Sequence, residues 1–214
     1  MNVFLINSKN HNELKFIKEL SNELSKDKSL LLLSFKRNKK ENIEDLFDMA
    51  GMITYDICDY FLEIVGLDKI IRTYKENIDF AISPLVEDKY KIKKEDINQL
   101  FEKISNYDYL IIYGLDPNLL ENKKEIKILN VEELDSDISS DYFYIENDDK
   151  YFDIREKREQ IINKSSKFLG LKTKNNSYDA IISNLLEDKV ESIGKIGFFE
   201  KLKKKLAQWN HIYL

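Results

Sequence analysis

Apolar residues in the first part of the chain follow two alternating patterns. Continuous apolar runs at residues 2–6 and 29–35 (SLLLLSF) predict two buried strands. Between them, apolar residues recur at the spacing of one helix face: Leu14, Ile17, Leu20 and Leu24. Continuous apolar strands that alternate with helices favour a parallel sheet covered on both faces.

The alternation continues through the middle of the chain. TYDICDYFLEIVG at 54–66 predicts a helix with Thr54 as N-cap and Gly66 as its stop. Its predicted apolar face consists of four residues: Ile57, Tyr60, Phe61 and Ile64. IDFAISP predicts a strand that Pro84 ends, and YDYLIIYG at 107–114 predicts another. The helix between these two strands is predicted by a second apolar set: Ile97, Leu100, Phe101 and Ile104.

The last third is predicted to change from strands to helices. EIKILNV and DYFYIE predict two more strands, and after about residue 149 the pattern becomes helical. One helix is predicted over 154–169 and ended by Gly170, and another over 178–187 with Ser177 as N-cap.

These elements predict a doubly wound α/β fold, with a mostly parallel sheet, flanking helices and a helical C-terminal extension. We expect an α/β domain over 1–149, a helical extension of the same domain over 150–192, and a basic amphipathic helix over 193–214.

Composition narrows the class of protein. With 214 residues, 43% hydrophobic and 34% charged, the chain suits one soluble domain with a sizeable core. It has no apolar run long enough to span a membrane and no secretory signal pattern at its start. A single cysteine, Cys58, predicts a buried thiol in a reducing cytoplasm and excludes an internal disulfide.

Charge is unevenly distributed along the chain. The net charge of −5 argues against nucleic acid as the main partner. Five lysines and one glutamate give residues 193–214 a charge of +4, which leaves −9 on the first 192 residues. The C-terminal segment is therefore a candidate for contact with an anionic surface.

The middle of the chain resembles the MinD/ParA family of P-loop ATPases. The resemblance rests on NIEDLFDMAGMITYDICDYFLEIVGLDKII at 42–71, on IDFAISP, and on YDYLIIY, and it covers roughly residues 1–117 in order and spacing. It implies that the turn after the first strand, within INSKNHNELKF, descends from a deviant Walker A loop of the pattern K-G-G-x-G-K-T.

Most residues of that loop differ from the family pattern. Lys9 falls at the signature lysine, while Asn10, His11 and Glu13 fall at the three glycines. A phosphate cradle needs residues without a β-carbon, so that backbone N–H groups can turn toward the anion. A carboxylate at Glu13 would also repel phosphate, by around 4 kcal/mol for two charges 4 Å apart at an effective dielectric near 20.

The remaining loop positions have also lost the family's chemistry. Leu14 replaces the phosphate-gripping lysine and Lys15 replaces the hydroxyl that binds Mg²⁺. Lys9 is either a solvated lysine of a polar turn or a contact for an anion or partner. His11 has no second ligand at metal spacing, so no metal site is expected.

The ends of two other strands depart from the family as well. The family places an aspartate after the second strand, where this chain offers Ser34, Lys36 and Arg37. The family's Mg²⁺-linked aspartate at the end of YDYIIID corresponds to Tyr113, and Asp116 lies three residues further on. Phosphoryl transfer depends on positioning and on stabilising charge. We therefore expect no catalytic residues and no cofactor, and predict a pseudo-ATPase.

Two carboxylates in the middle of the chain are spaced as neighbours on a helix face. Asp56 and Asp59 share a predicted helix face with Tyr55 and Glu63, and the interpretation favoured is a solvated face. With two histidines in the chain, no Ser/His/Asp or Cys/His set is supported.

The segment IGFFEKLKKKLAQW at 196–209 predicts an amphipathic helix. Its apolar stripe is formed by Phe198, Phe199, Leu202, Leu206 and Trp209. Lysines lie beside or opposite this stripe: Lys201, Lys203, Lys204 and Lys205. This pattern is typical of an interfacial membrane helix, to which each lysine adds about 1 kcal/mol at an anionic surface. MinD proteins end in a similar element. Docking on a protein partner and packing on the chain's own body are the open alternatives.

Three functions follow from these features. The first is a non-hydrolysing MinD/ParA-like adaptor or localisation factor for a membrane-associated bacterial assembly of division or pilus type, similar to TadZ-like members of the family. It would be cytoplasmic, peripheral on the inner face of the cell membrane, and able to bind protein partners or a second copy. The second is a divergent nucleotide-binding enzyme that uses Lys9, Lys15 or Lys36 on phosphates. The third is a soluble scaffold with a structural C-terminal helix.

Overall fold

A single mixed sheet forms the centre of the molecule. The computed structural model describes residues 1–8, 13–51, 53–197 and 200. Within those residues the strands are β1 (Asn2–Ile6), β2 (Leu30–Ser34), β3 (Arg72–Lys75), β4 (Ile78–Ala81), β5 (Tyr109–Tyr113), β6 (Lys124–Leu129), β7 (Tyr142–Glu146) and β8 (Lys167–Lys172). Their order is β3-β4-β2-β5-β1-β6-β7-β8; β3 is antiparallel to β4, and every other neighbouring pair is parallel.

Helices cover both faces of this sheet. In the described residues they are α1 (Glu13–Leu24), α2 (Ile43–Leu46), α3 (Ile57–Phe61), α4 (Leu67–Ile70), α5 (Lys94–Lys103), α6 (Arg158–Ile162) and α7 (Asp179–Leu186). Short 3₁₀ turns lie at Pro117–Leu119, Val131–Asp135 and Ile154–Lys157. The predicted doubly wound α/β class, with a mostly parallel sheet and flanking helices, is confirmed.

The core is divided by the sheet into two layers. On one face α1, α2 and α7 pack on side chains such as Phe4 and Leu32. On the other face α3, α4 and α5 pack on Val3 and Leu31, and α6 covers a smaller cluster near β7 and β8. All five residues of β2 are buried, because successive side chains point to opposite faces and both faces are covered.

The register of the central strands aligns their carboxyl ends. Ile6 of β1 and Ser34 of β2 are both paired with Tyr113 of β5. Side chains that follow these three strands therefore meet at one edge of the sheet, where open α/β folds place their ligands.

The segment 54–66 departs from the predicted single helix. The helix α3 is short, its N-cap is Asp56 in place of Thr54, and Gly66 is the N-cap of α4 instead of a stop. Asp56 accepts a hydrogen bond from the backbone N–H of Cys58 at 2.8 Å, so its side chain sets where the helix begins. Ile64, predicted on the apolar face, lies beyond α3 and is 59% exposed.

The predicted helix over 154–169 is wrong. A 3₁₀ turn and α6 occupy its first part, and its last residues belong to β8, with Gly170 inside that strand. Buried Ser166 donates a hydrogen bond to the backbone oxygen of Ser140 at 2.6 Å and the amide of Lys167 donates to Asp141. These long-range contacts align β8 with β7.

The last described helix is close to its prediction. Helix α7 is capped at Tyr178, not at Ser177, and it buries Ile181, Ile182 and Leu185. None of the helices among the described residues is long and apolar enough to cross a bilayer.

Candidate functional site

The candidate site lies at the carboxyl ends of β1, β2 and β5. Ser8 follows β1, Lys36 follows β2, and Tyr113 is the last residue of β5. Glu13, the first residue of α1, completes the group from the segment after β1. We refer to Ser8, Glu13, Lys36 and Tyr113 as the strand-end cluster.

Glu13 is a buried carboxylate at the start of α1. The residue is 4% exposed, and its Oε1 accepts a hydrogen bond from Lys36 Nζ at 3.1 Å. Its Oε2 lies 3.5 Å from the hydroxyl of Tyr113. Negative charge in the first turn of a helix is stabilised by the helix dipole, and here the lysine compensates it as well.

Lys36 is the cation of the strand-end cluster. Its Nζ also donates to the backbone oxygen of Ser8 at 3.1 Å and lies 5.3 Å from the centre of the Tyr113 ring. Burial lowers the pKa of Lys36, but the hydrogen bond to Glu13 and the neighbouring charges outweigh burial and raise the pKa above its usual value. Lys36 is therefore a protonated, partnered lysine at neutral pH.

Tyr113 is a fully buried phenol in the place where the family resemblance puts an aspartate linked to Mg²⁺. Asn38 Nδ2 donates to the Tyr113 hydroxyl at 3.0 Å. Burial raises the pKa of Tyr113, and the lowering by Asn38 and Lys36 does not cancel this effect. The side chain is a neutral hydroxyl, whereas Mg²⁺ sites usually include a carboxylate.

Gly114 allows the chain after β2 to pass over the end of β5. Its φ of +75° lies in the left-handed region, and a β-carbon on it would lie 2.1 Å from Lys36 Cβ and 3.1 Å from Lys36 Cα. Lys36 and Tyr113 were predicted to stand at positions where the family has acidic residues, but their contacts with Glu13 were not predicted. A glycine directly after an apolar strand was the available signal for this close approach.

Two further polar contacts support the segment after β2. Ser34 Oγ donates to the backbone oxygen of Lys36 at 3.1 Å. Arg37 Nη2 lies 2.7 Å from Oε1 of Glu44, a residue that is 6% exposed. Ser34, Lys36 and Arg37, the residues that the sequence offers at the end of β2, thus all have partners within the molecule.

The predicted phosphate-loop positions that the structure describes, Glu13, Leu14 and Lys15, lie in different surroundings. Lys9, Asn10 and His11 lie outside the described residues. Leu14 is buried in the core beneath α1. Lys15 is exposed on the wall of an open cleft of about 840 Å³ at the carboxyl ends of β6, β7 and β8.

The side chain of Asp116 forms its hydrogen bonds within its own turn, with Asn118. Its Oδ1 accepts a hydrogen bond from the backbone N–H of Asn118 at 3.0 Å. Across the described part of the chain, no three His, Cys, Asp or Glu side chains are grouped to hold a metal ion.

Asp56 and Asp59 form a buried ion cluster, so the predicted solvated face is wrong. Asp56 is 0% and Asp59 6% exposed, and Lys89 Nζ lies 2.8 and 2.7 Å from their respective carboxylates. Asp56 also accepts from the backbone N–H of Leu85 at 3.0 Å. The loop after β4 folds back over the start of α3 and excludes solvent from both carboxylates, which periodicity alone could not predict.

The predicted membrane or partner residues of the C-terminal segment lie outside the described residues: Phe198, Phe199, Leu202, Lys203, Lys204, Lys205, Leu206 and Trp209. Glu200 is described, and its carboxylate contacts the guanidinium of Arg155 at 2.5 and 3.1 Å. Glu200 therefore lies beside the 3₁₀ turn at Ile154–Lys157.

Chemically, the strand-end cluster is a compensated ion pair beside a neutral phenol. The charges of Glu13 and Lys36 compensate each other. The hydroxyl oxygen of Tyr113 accepts a hydrogen bond from the side-chain amide of Asn38. Among the described residues at this edge we find no activated nucleophile and no unpaired base.

Comparison with known proteins gives matches at the level of structure. No protein-family model and no curated protein matches the sequence. A plasmid partition protein from Borrelia burgdorferi superposes with a TM-score of 0.66 at 19% identity, over 87% of this chain and 98% of that chain. The MinC:MinD cell division protein complex of Aquifex aeolicus gives 0.65 at 13% identity, over 92% and 100%.

A third solved structure agrees with these two. The septum site-determining protein MinD of Pyrococcus horikoshii, complexed with Mg-ADP, gives a TM-score of 0.61 at 13% identity, over 85% of each chain. Structural similarity at such low sequence identity supports a shared fold and does not by itself establish a shared function. By sheet order, helix placement and these superpositions, the chain has a MinD/ParA-like fold.

Proposed function

We propose that this protein is a non-hydrolysing MinD/ParA-like adaptor or localisation factor that helps to place a membrane-associated bacterial assembly, of division or pilus type. It would act in the cytoplasm at the inner face of the cell membrane, attached through its C-terminal segment. The observation that supports the proposal most directly is the strand-end cluster.

The strand-end cluster fits an internal contact better than a nucleotide. In a MinD/ParA-like fold, the turn after β1 and the ends of β2 and β5 would face the phosphates and the metal ion. Here Glu13 brings a carboxylate into that region and Tyr113 brings a neutral hydroxyl. For Lys36 to serve a phosphate, it would have to leave Glu13, whose buried charge would then lack its cation.

Titration calorimetry with ATP and ADP in the presence of Mg²⁺ tests this part. We expect no heat up to millimolar nucleotide and no thermal shift, because a bound ligand would stabilise the fold by RT ln(1 + [L]/Kd). The same titration is carried out on the variant Glu13→Ala, because this variant lacks the carboxylate that would repel phosphate. Micromolar binding by the unmodified protein would refute the pseudo-ATPase and favour the divergent enzyme, with Lys9 and Lys15 as the next substitutions.

Membrane attachment is proposed from the charge and apolar pattern of residues 196–209. Co-sedimentation with vesicles of phosphatidylglycerol and phosphatidylcholine tests it. We expect replacement of the three lysines at 203–205 by glutamate to abolish binding. The matched control replaces three lysines on the body, at 28, 69 and 91, and should retain it. Equal binding by both variants would refute the attachment and favour the soluble scaffold.

A protein partner is the remaining part of the proposal. One of the structural neighbours is a MinC:MinD complex, which supports a MinD/ParA-like surface for protein contacts, with a second copy of the chain as another candidate. Light scattering on the purified protein distinguishes a monomer from a homodimer. If the protein is monomeric, affinity capture with the full chain then searches for a heterologous partner.

A further inference from the structure

One face of the sheet at β6 is covered by turns and not by a helix. Residues 114–123 join β5 to β6 and residues 130–141 join β6 to β7, and each connection contains a 3₁₀ turn but no α-helix. Connections between parallel strands usually contain a helix that packs on the sheet. Here residues of both connections, together with β6, line a cavity of about 420 Å³, which we call the β6 cavity.

Two charged residues of β6, Glu125 and Lys127, line this cavity. Ile126 and Ile128, which alternate with them, are buried in the core on the α1 face. Because successive side chains of a strand point to opposite faces, Glu125 and Lys127 lie on the face away from α1. The β6 cavity is therefore distinct from the strand-end cluster, with which it shares Ser8, whose hydroxyl accepts a hydrogen bond from the amide of Ile128.

Glu125 is a buried carboxylate that lacks hydrogen bonds. Its side chain is 9% exposed, and Lys127 Nζ lies 3.8 Å from its Oε1, which is longer than a hydrogen bond. Within the described part of the chain, no group donates a hydrogen bond to this carboxylate. Burial raises the pKa of Glu125, and the lowering by Lys127 and Lys123 does not cancel this effect. Since buried charges in proteins are normally paired and hydrogen-bonded, a donor from outside the chain fits this position.

The rest of the cavity wall is acidic and able to form hydrogen bonds. Glu133 and Asp137 also line it, so the described lining residues include three carboxylates and one ammonium group, that of Lys127. Amide and hydroxyl side chains contribute further to the wall: Asn7, Asn118, Ser136 and Ser139. The volume is in the range of small-molecule sites, and a wall with net negative charge favours a cation.

We propose that the β6 cavity binds a small organic cation with a guanidinium group, which donates hydrogen bonds to the Glu125 carboxylate. A guanidinium offers two parallel N–H groups that match both oxygens of one carboxylate. Its positive charge also supplies the partner that a buried carboxylate requires. This site takes a small ligand and does not depend on the adaptor function proposed above.

Titration calorimetry on the full chain with butylguanidinium tests the proposal. Butylurea is the matched control ligand, because it has nearly the same shape without the charge. We expect saturable binding of butylguanidinium with a Kd below about 1 mM, and no saturable binding of butylurea. No saturable heat from butylguanidinium up to about 10 mM would overturn the site and leave a cavity that holds water only. Equal binding of the two compounds would overturn the recognition of charge.

Substitutions test whether Glu125 receives the cation. Glu125→Gln keeps the shape and removes the charge, so it should weaken binding by at least about tenfold, with circular dichroism as the check that it folds. Asp137→Lys changes an exposed residue of the cavity wall and should weaken binding several-fold, whether or not Glu125→Gln folds. Glu76→Lys makes the same charge change in the exposed turn between β3 and β4 and should keep the Kd within about twofold. An unchanged Kd in Glu125→Gln, or equal changes in the two lysine variants, would overturn the assignment.

Discussion

Replacing Lys36 by methionine removes the cation of the strand-end cluster with little change in side-chain length. Glu13 would then be a buried carboxyl group without its cation, with the Tyr113 hydroxyl 3.5 Å away. Because Glu13 is 4% exposed in the first turn of α1, the cost should appear as a lower free energy of unfolding.

The magnitude follows from the exposure of the two partners. The Glu13 side chain is 4% exposed and that of Lys36 is 32% exposed. Removing one partner of a fully buried ion pair costs about 3–5 kcal/mol, and exposed pairs contribute about 0–1 kcal/mol. With one partner buried and one partly solvated, we expect a loss of about 2–3 kcal/mol. In a chain of this size that loss lowers Tm by roughly 5–10 °C.

Urea denaturation followed by circular dichroism, with thermal unfolding as a second measurement, checks this value. The double variant Lys36→Met with Glu13→Gln should recover more than half of the loss, because no unpaired charge remains. The control Lys15→Met changes an exposed residue of α1, the helix that begins with Glu13. Its free energy of unfolding should stay within about 0.5 kcal/mol of that of the unmodified protein. The reasoning would be refuted by a single variant as stable as the unmodified protein, or by a double variant no better than the single.

Three further substitutions or treatments have defined outcomes. Gly114→Ala should lower the free energy of unfolding in urea by about 2–4 kcal/mol, because its β-carbon would overlap Lys36. The control Gly51→Ala, also at positive φ but in open space, should lower it by about 1 kcal/mol. Equal losses in the two variants would contradict the contact between Gly114 and Lys36. Asp56→Ala should cost about 2–4 kcal/mol, since it leaves two amides without their acceptor and Lys89 with one of its two carboxylate partners. A loss below about 1 kcal/mol would contradict that. Cys58, whose pKa is raised to about 12, should remain the neutral thiol and resist a disulfide reagent at pH 8 until denaturant is added; fast reaction of the folded protein would contradict its burial.

Hydrophobic patterning was enough to predict the central strands and the long helices. β2 and β5 are short apolar runs buried on both faces, and α1 and α5 carry apolar residues at helical spacing. Local chain geometry and burial determine these elements, and both leave a regular spacing of apolar residues in the sequence. The same patterns, with the family resemblance, predicted the doubly wound class that the strand order confirms.

Patterning failed where a distant segment determines the local structure. Residues 167–172 have apolar side chains that also fit a helix, yet they form β8 because β7 offers an edge for pairing. Asp56 and Asp59 are buried because Lys89, thirty or more residues later, folds back over them. In both cases the deciding partner lies far along the sequence, where periodicity carries no information.

By itself, the sequence predicted, through the family resemblance, that the glycines and catalytic groups of a phosphate loop are replaced, since such a prediction depends on residue identity. It also determined the charge asymmetry and the amphipathic pattern of the C-terminal segment. The tertiary structure decided that Glu13, Lys36 and Tyr113 converge into one compensated cluster, and that Glu200 lies against Arg155 on the β8 side. The reason is that strand order and register, which depend on the packing of the whole chain, bring these residues together.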